Sequence, residues 1–260
     1  MEFEALNPDI YVQVLDELEL IRSTKPFQIL FYGSRERGDS NEDSDLNFYL
    51  IANSTDQMKS SFIDSVSRAL AKLEDVAPVN MIAGDADSLA HRLKISEPGS
   101  IQLMEASSVF YGEGIYEGLL EQWNKWKSFE IPKKDLSLYL EKRIRFFKQQ
   151  VTRNVKEEIS QLERITTLTL HIWALQKIED LTHSELLKMD TPDQIVPLFS
   201  ELYRNEMDET TEELLDLATK IRKLKIDARK KREISREAVH ESKYRLIELR
   251  KEEEFMLNWV

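Results

Sequence analysis

The placement of glycine divides this 260-residue chain into two parts of different character. All seven glycines lie at or before residue 118, and none follows. Charge divides in the same place: residues 1–118 hold 9 Lys and Arg against 21 Asp and Glu, whereas residues 119–260 hold 27 of each. Because glycine permits turns and strand ends and interrupts helices, these observations predict two domains, 1–118 and 119–260.

Helix and strand patterns alternate in the first part. Asn7-Pro8 is a typical helix start, with a capping amide followed by proline at the first helical position. Four short apolar runs predict strands at 27–32, 46–52, 78–83 and 108–112. The first two are nearly continuous, as expected of inner strands covered on both faces. Apolar residues at helical spacing between these runs predict the helices of an α/β domain with a small mixed sheet.

The second part is predicted to be all helix. Apolar residues there advance by three or four along one face, as in Leu140, Ile144, Phe147, Val151, Val155, Ile159 and Leu162. Five or six such helices are expected to pack as a bundle. The predicted fold class is therefore α+β, with an N-terminal α/β domain followed by an all-α helical bundle.

Composition limits where the protein acts and what it binds. The chain has no cysteine, so it has no disulfide and no thiolate metal site, which fits the cytoplasm. No apolar run is long enough to span a bilayer, and the acidic start MEFEALNPDI lacks a secretion signal. We expect a cytoplasmic protein without a membrane partner. The net charge of −12 argues weakly against nucleic acid as the main partner.

One stretch carries chemistry: FYGSRERGDSNEDSDLNFYL, residues 31–50. Gly33 and Ser34 follow a strand, where a free backbone amide and a hydroxyl can bind phosphate oxygens. Arg35 and Arg37 add positive charge to the same loop. Asp45 then precedes Leu46 and Asn47 at the start of the second strand. The alternation of strand side chains directs residues 45 and 47 to one face.

The segment GSRERGDSNEDSDLN resembles the nucleotidyltransferase motif of the DNA polymerase β superfamily, which is Gly-Ser, a spacer, and Asp-apolar-Asp in a strand. It is especially similar to the minimal nucleotidyltransferases and the aminoglycoside adenylyltransferases. Their third carboxylate lies on a later strand and aligns with Asn80 in Val79-Asn80-Met81. The resemblance covers roughly residues 5–114.

The resemblance implies a role for each matched position. Gly33 and Ser34 would hold the β- and γ-phosphates of a nucleoside triphosphate, and Asp45 would bind two Mg²⁺ ions. The residue at 47 would share those ions, and the residue at 80 would help to activate the attacking hydroxyl. The implied reaction moves a nucleoside monophosphate from NTP to an unknown acceptor. The helical domain of such relatives binds the acceptor or forms a homodimer.

This chain departs from the motif at two of its three carboxylates, because Asn47 and Asn80 are amides. An amide keeps one oxygen ligand but lacks the negative charge, and it cannot act as a general base. A magnesium site is therefore expected to be weak or absent. Two hypotheses follow: a nucleotidyltransferase that binds NTP with impaired catalysis, or a catalytically inactive relative that acts in regulation, as an antitoxin-like or partner-binding scaffold protein.

Four weaker signals have structural alternatives. Arg164 and His171 resemble the Arg-x6-His pair of HEPN ribonucleases, or are two polar groups on a partly exposed helix. The basic segment 220–232 contacts phosphate or nucleic acid, docks against the acidic N-terminal domain, or forms a solvated helix face. Trp123, Trp126 and Phe129 stack on a base or acceptor, or pack at the domain junction. The acids Asp39, Glu42 and Asp43 of the spacer, with Asp85 and Asp87 after the third strand, supplement the metal ligands, or they are solvated loop charges with Asp87 or Ser88 capping a helix.

Overall fold

The structure is a computed structural model that describes residues 8–22, 26–38, 44–189, 192–202, 208–230 and 232–254. The contacts divide the chain into two compact units, Met1–Glu130 and Ile131–Val260. The predicted mixed α/β fold with a small mixed sheet is confirmed. No helix in the described ranges combines the length and apolarity that crossing a membrane requires.

The first unit contains four strands and six helices in its described residues. The strands are β1 (Phe27–Tyr32), β2 (Leu46–Ala52), β3 (Val79–Asp85) and β4 (Ser107–Tyr111). The helices are α1 (Pro8–Arg22), α2 (Ser34–Arg37), α3 (Ser60–Ala71), α4 (Ala86–Lys94), α5 (Pro98–Glu105) and α6 (Ile115–Trp126), with 3-10 turns at Thr55–Gln57 and Lys72–Asp75.

The sheet has the order β3-β2-β1-β4. Strand β1 pairs antiparallel with both β2 and β4, whereas β2 pairs parallel with β3. The two most continuous apolar runs of the sequence are therefore the two central strands, as predicted. Each predicted strand is present, with ends that differ by up to two residues from the prediction.

The two faces of the sheet are packed differently. One face, with the apolar side chains of α1 and α3, forms a core that includes Phe31, Phe48 and Val66. On the other face, the side chain of Gln28 accepts from the amide of Tyr116 in α6 at 2.6 Å. Arg92 of α4 donates to the Tyr49 hydroxyl on the same face. Helices therefore cover this second face at the end where β1 begins.

The second unit is helical in its described residues. Its helices are α7 (Lys133–Gln149), α8 (Val155–Lys177), α9 (His183–Leu187), α10 (Pro192–Leu202), α11 (Glu209–Arg229) and α12 (Arg236–Glu254). Six helices lie at the upper end of the predicted number. The first turns of α8 and α9 are capped by Asn154 and Thr182, whose side-chain oxygens accept from backbone amides.

The continuous apolar stripe predicted from Leu140 to Leu162 is interrupted. Helix α7 ends at Gln149 and α8 begins at Val155, and between them Val151 is 90 % exposed. The placement of Val151 on a buried face was therefore wrong. The side chain of Gln161 donates to the carbonyls of Phe147 and Gln150, so it satisfies the end of α7 where the chain turns.

Candidate functional site

Gly33 begins the loop at the end of β1 in a conformation that other residues avoid. Its φ of 95° and ψ of −161° lie in a region used almost only by glycine. A Cβ at this position would stand 3.0 Å from Nδ2 of Asn47. The chain then forms the single helical turn α2, closed by a hydrogen bond from the Arg37 amide to the Gly33 carbonyl at 3.1 Å.

The register of the sheet brings three motif positions together. Tyr32, the residue before Gly33, is opposite Asn47 in the β1–β2 pair. In the parallel β2–β3 pair, Asn47 is opposite Asn80. Nδ2 of Asn80 donates to Oδ1 of Asn47 at 3.1 Å. Gly33, Asn47 and Asn80, taken from three separate strand segments, thus form one continuous patch at one end of the sheet.

The remaining motif residues border this patch. Asp45 is exposed and immediately precedes β2, and its backbone carbonyl accepts from Nδ2 of Asn47 at 3.4 Å. Nε of Arg35 donates to the carbonyl of Ser44 at 2.6 Å, which ties the start of the loop to its end. Ser34 is half-buried and Arg37 is exposed. The acids Asp39, Glu42 and Asp43 of the spacer lie outside the described residues.

The patch lies on the sheet face opposite the core formed with α1 and α3, and it is partly accessible, because Tyr32 and Asn47 are half-buried. Side chains of Tyr32, Asn47 and Asn80 share this face by strand alternation, and Asn80 is exposed. Ile82 follows Asn80 on the same face and is 49 % exposed. We call this region, defined by Tyr32, Gly33, Asn47, Asn80 and Ile82, the open sheet end.

Tyr32 was missed in the sequence because it completes an apolar run. Burial, and the neighbouring Tyr49, raise the pKa of Tyr32 to about 12. Its phenol therefore keeps its proton to higher pH than an ordinary tyrosine and can donate a hydrogen bond beside the open sheet end. Its position directly before Gly33 was the signal that could have identified it.

The pair formed by Tyr49 and Arg92 was not predicted either, because the two residues lie 43 positions apart in the sequence. The hydroxyl of Tyr49 accepts from Nη2 of Arg92, and the guanidinium lies 5.9 Å from the centre of the Tyr49 ring. A Cβ on Gly84 would collide with the Tyr49 hydroxyl, so only glycine at that position permits the arrangement. The pair fixes α4 against the sheet beside the patch.

The side chains at the open sheet end do not fit a two-magnesium site. Of the three motif positions only Asp45 is a carboxylate, and Oδ1 of Asn47 already accepts a hydrogen bond from Asn80. Magnesium prefers carboxylate oxygens and gives up its water reluctantly. In the described part of the chain, no three His, Asp or Glu side chains are grouped so that they could hold a metal ion.

Asp85 has a structural role. It is 6 % exposed, and it accepts from the amide of Ser88 at 2.9 Å and from the Ser88 hydroxyl at 2.8 Å. Burial raises the pKa of Asp85, but the bonds from Ser88 outweigh it and hold the pKa below its usual value. The expectation that Asp85 is a solvated loop charge and that Asp87 or Ser88 caps the helix was wrong, because Asp85 itself is the N-cap of α4.

Arg164 and His171 do not form a shared open site. His171 is 4 % exposed and its Nε2 lies 2.6 Å from the carbonyl of Met189, whereas Arg164 is exposed and its guanidinium lies over the ring of Phe147. The histidine belongs to the core of the second unit. The sequence spacing alone could not distinguish a buried histidine from an accessible one.

Some of the basic side chains of segment 220–232 form ion pairs within the second unit. Arg222 bonds to Glu163 at 2.8 Å and to Asp193 at 2.6 Å, and Arg232 bonds to Asp227 at 2.8 Å. Lys220 and Lys223 are exposed. The segment thus attaches α11 to α8 and α10 through one side and presents lysines on the other.

The three aromatic residues that follow the predicted domain boundary at residue 118 lie in different environments. Trp123 is 1 % exposed and its Nε1 donates to Glu105 at 2.6 Å, so it packs α6 against α5 within the first unit. Trp126 is half-buried, and Phe129 is 67 % exposed.

No protein-family model matches the chain, and no curated protein does.

Proposed function

We propose that this chain is a nucleotidyltransferase-fold protein that binds a nucleoside triphosphate at the open sheet end. Its transfer of a nucleoside monophosphate to a hydroxyl acceptor is impaired by Asn47 and Asn80. The observation that supports this most is the β2–β3 register, which pairs Asn47 with Asn80 beside Gly33. The motif residues, which the sequence spreads over 48 positions, are neighbours in space.

The chemistry of the open sheet end suits phosphate more than metal. Gly33 keeps the loop free of a side chain, and Ser34 and Tyr32 supply hydroxyl donors. Two amides at positions 47 and 80 remove two negative charges that would repel a triphosphate. Arg35 and Arg37 supply the positive charge of a loop that also holds the acids Glu36, Asp39, Glu42, Asp43 and Asp45. A triphosphate can thus approach without the divalent ions that a site of three carboxylates requires.

The second candidate function is a catalytically inactive protein that binds nucleotide, or only a partner protein, and acts in regulation. The hydrogen bond between Asn80 and Asn47 favours it, because it uses one of the two lone pairs of the Asn47 oxygen that a metal would need. In this case the fold is retained and the transfer reaction is lost.

The first test is calorimetric titration of the protein with ATP, GTP, CTP and UTP, each with and without Mg²⁺. Binding of at least one nucleotide is expected, with little dependence on Mg²⁺. Binding that requires Mg²⁺ would instead mean that Asp45 and the two amides still assemble a metal site. No binding to any nucleotide would contradict the proposed nucleotide site and leave the partner-binding alternative.

Substitutions locate the site. Ser34→Ala is expected to weaken nucleotide binding roughly tenfold, since a hydrogen bond to a charged phosphate is lost. Ser61→Ala is the matched control, because Ser61 is an exposed serine of α3 on the opposite side of the sheet. Equal binding by both variants would place the nucleotide elsewhere.

The double substitution Asn47→Asp/Asn80→Asp tests the explanation for impaired catalysis. It restores the three carboxylates of the motif, so Mg²⁺-dependent binding and measurable release of pyrophosphate from NTP are expected. If the double variant gains no metal-dependent transfer with any NTP, the loss of activity does not lie in these two positions alone.

A further inference from the structure

Two arginines of the second unit converge on one aromatic ring. The guanidinium of Arg143 on α7 lies 5.4 Å from the centre of the Phe147 ring, and that of Arg164 on α8 lies 5.5 Å from it. The two positive charges are therefore no farther apart than the sum of these distances. Arg143 also bonds to the hydroxyl of Tyr139 at 3.1 Å, which holds its side chain in place.

Four of the five acids of α7 and α8 are engaged by other groups. Glu141 pairs with Arg250 at 2.8 Å, Glu158 with Lys243 at 3.0 Å and Glu163 with Arg222 at 2.8 Å. Glu157 accepts from the Arg153 amide and the Asn154 side chain, each at 2.8 Å. Among the ion pairs of the described residues, none includes Arg143 or Arg164.

Within the described residues, the guanidinium groups of Arg143 and Arg164 therefore form no ion pair with a carboxylate. Like charges repel, and an anion that contacts both guanidinium groups would reduce that repulsion. Guanidinium groups that stack on a ring keep their N–H donors in a fixed plane, which suits the oxygens of a phosphate group. Lys142 and Arg145 of α7 are exposed nearby and increase the local positive charge.

An exposed aromatic ring stands beside the arginines. Phe146 is 55 % exposed, and its ring centre lies 5.7 Å from that of Phe147. A basic groove combined with an accessible aromatic side chain is how proteins hold single-stranded nucleic acid, since the cations follow the phosphates and the ring stacks on a base.

We propose that this surface, formed by Tyr139, Arg143, Phe146, Phe147 and Arg164, binds the phosphate backbone of a single-stranded nucleic acid. Phe146 stacks on a base, and Arg143 and Arg164 contact neighbouring phosphates. The whole chain carries −12, but residues 119–260 carry no net charge, so the local distribution decides what this surface attracts. The proposal is independent of the nucleotide site in the first unit.

The test is fluorescence anisotropy of labelled U12 RNA and dT12 DNA with the full chain at several salt concentrations. Binding to at least one strand is expected, and Arg143→Gln/Arg164→Gln should weaken it about tenfold or more. The slope of log affinity against log salt should fall by about 1.4, which corresponds to two lost phosphate contacts. Phe146→Ala should weaken binding by roughly five- to hundredfold through lost stacking.

The matched control is Lys220→Gln/Lys223→Gln, which removes the same charge from exposed positions of α11. It should bind like the original protein. Equal weakening by this variant would overturn the proposal, because attraction would then be a property of the whole unit. Circular dichroism of each variant checks that it is folded, and Arg143→Lys/Arg164→Lys provides a second variant that keeps the charge and loses the planar donors.

Competing anions distinguish a nucleic-acid ligand from an acidic protein or a simple phosphate. Poly-glutamate and tripolyphosphate should displace the oligonucleotide poorly. Displacement by poly-glutamate at equal charge concentration would indicate an acidic protein partner instead, and displacement by tripolyphosphate together with no effect of Phe146→Ala would indicate a general phosphate site. Either result, or no binding to either strand at low salt, would overturn the proposal.

Discussion

Gly33 is the residue whose local conformation the open sheet end depends on most. With a φ of 95° and a ψ of −161°, an L side chain would be strained, and its Cβ would press on Nδ2 of Asn47. Gly33→Ala is therefore expected to lower the free energy of unfolding of the first unit by about 1–3 kcal/mol. Urea unfolding followed by circular dichroism measures this.

Gly118 provides the control for that substitution. It lies within helix α6, and a Cβ there would meet no atom within 4 Å. Gly118→Ala should leave the unfolding free energy unchanged or raise it by up to about 1 kcal/mol, because alanine is the better helix former. A loss of stability at position 118 as large as at position 33 would show that the backbone conformation at Gly33 is not the cause.

Tyr32 makes the free energy of unfolding depend on pH in the alkaline range. Its pKa is about 12 in the folded chain against the ordinary value of 10. The unfolded chain therefore loses this proton first, and the contribution of Tyr32, at most about 3 kcal/mol, is present below pH 10 and is lost between pH 10 and 12. Tyr111, whose pKa is also raised to about 12 by burial and by Glu19, adds to the same range.

Tyr32→Phe separates this effect from general alkaline unfolding. The variant should show a shallower fall of the unfolding free energy between pH 10 and 12 than the original protein. Chemical unfolding at a series of pH values provides the measurement, and Tyr244→Phe, at a position 66 % exposed, is the control. Identical pH profiles for all three proteins would contradict the assignment.

At the scale of elements, the strand register brings the residues of the motif next to one another. A shift of one residue between β2 and β3 would turn Asn80 to the face covered by α1 and α3. The register is fixed by the opposite face, where Leu46, Phe48 and Met81 pack into the core. The positions of Asn47 and Asn80 are therefore a consequence of apolar packing on the opposite face of the sheet.

Helix α12 is attached to α7 and α8 through one buried charge network. Nη2 of Arg250 donates to both carboxylate oxygens of Glu141, at 2.9 and 2.8 Å, and Nη1 donates to the hydroxyl of Thr169 at 2.8 Å. The Arg250 side chain is 7 % exposed and that of Glu141 is 14 % exposed. Removing one partner leaves the other charge buried and uncompensated.

Glu141→Gln is accordingly expected to destabilise the second unit by about 3–5 kcal/mol. The comparable surface pair is Arg232 with Asp227, and because the Arg232 side chain is 62 % exposed, Asp227→Asn should cost less than about 1 kcal/mol. Thermal unfolding of the two variants makes the comparison. Similar losses from both would mean that burial does not determine the value of the Glu141–Arg250 pair.

At the scale of the whole molecule, the chain forms two units with separate apolar cores. Residues 1–130 and 131–260 expressed separately are each expected to fold. The first should give the circular dichroism of a mixed α/β protein and the second that of a helical protein. An unfolded fragment of either range would show that this unit depends on the other for its stability.

The sequence by itself determined the order and type of the elements. Strands β1 and β2 and the helical second half were predictable, because periodicity and glycine placement act within a few residues. It also indicated Gly33, Asn47 and Asn80 through a resemblance. It did not reveal Tyr32, the Tyr49–Arg92 pair or the convergence of Arg143 and Arg164 on Phe147, and it placed Val151 on a buried face.

Only the tertiary structure decided which polar residues are accessible and which are used by the fold. Asp85 and His171 looked similar in sequence to exposed functional residues, yet both are buried and hydrogen-bonded within the fold. Arg222 and Arg164 are both arginines of amphipathic helices, but in the described residues Arg222 forms ion pairs with Glu163 and Asp193, whereas Arg164 forms none. Ion pairing and burial depend on contacts between residues far apart in the chain, and spacing along a sequence carries no information about those contacts.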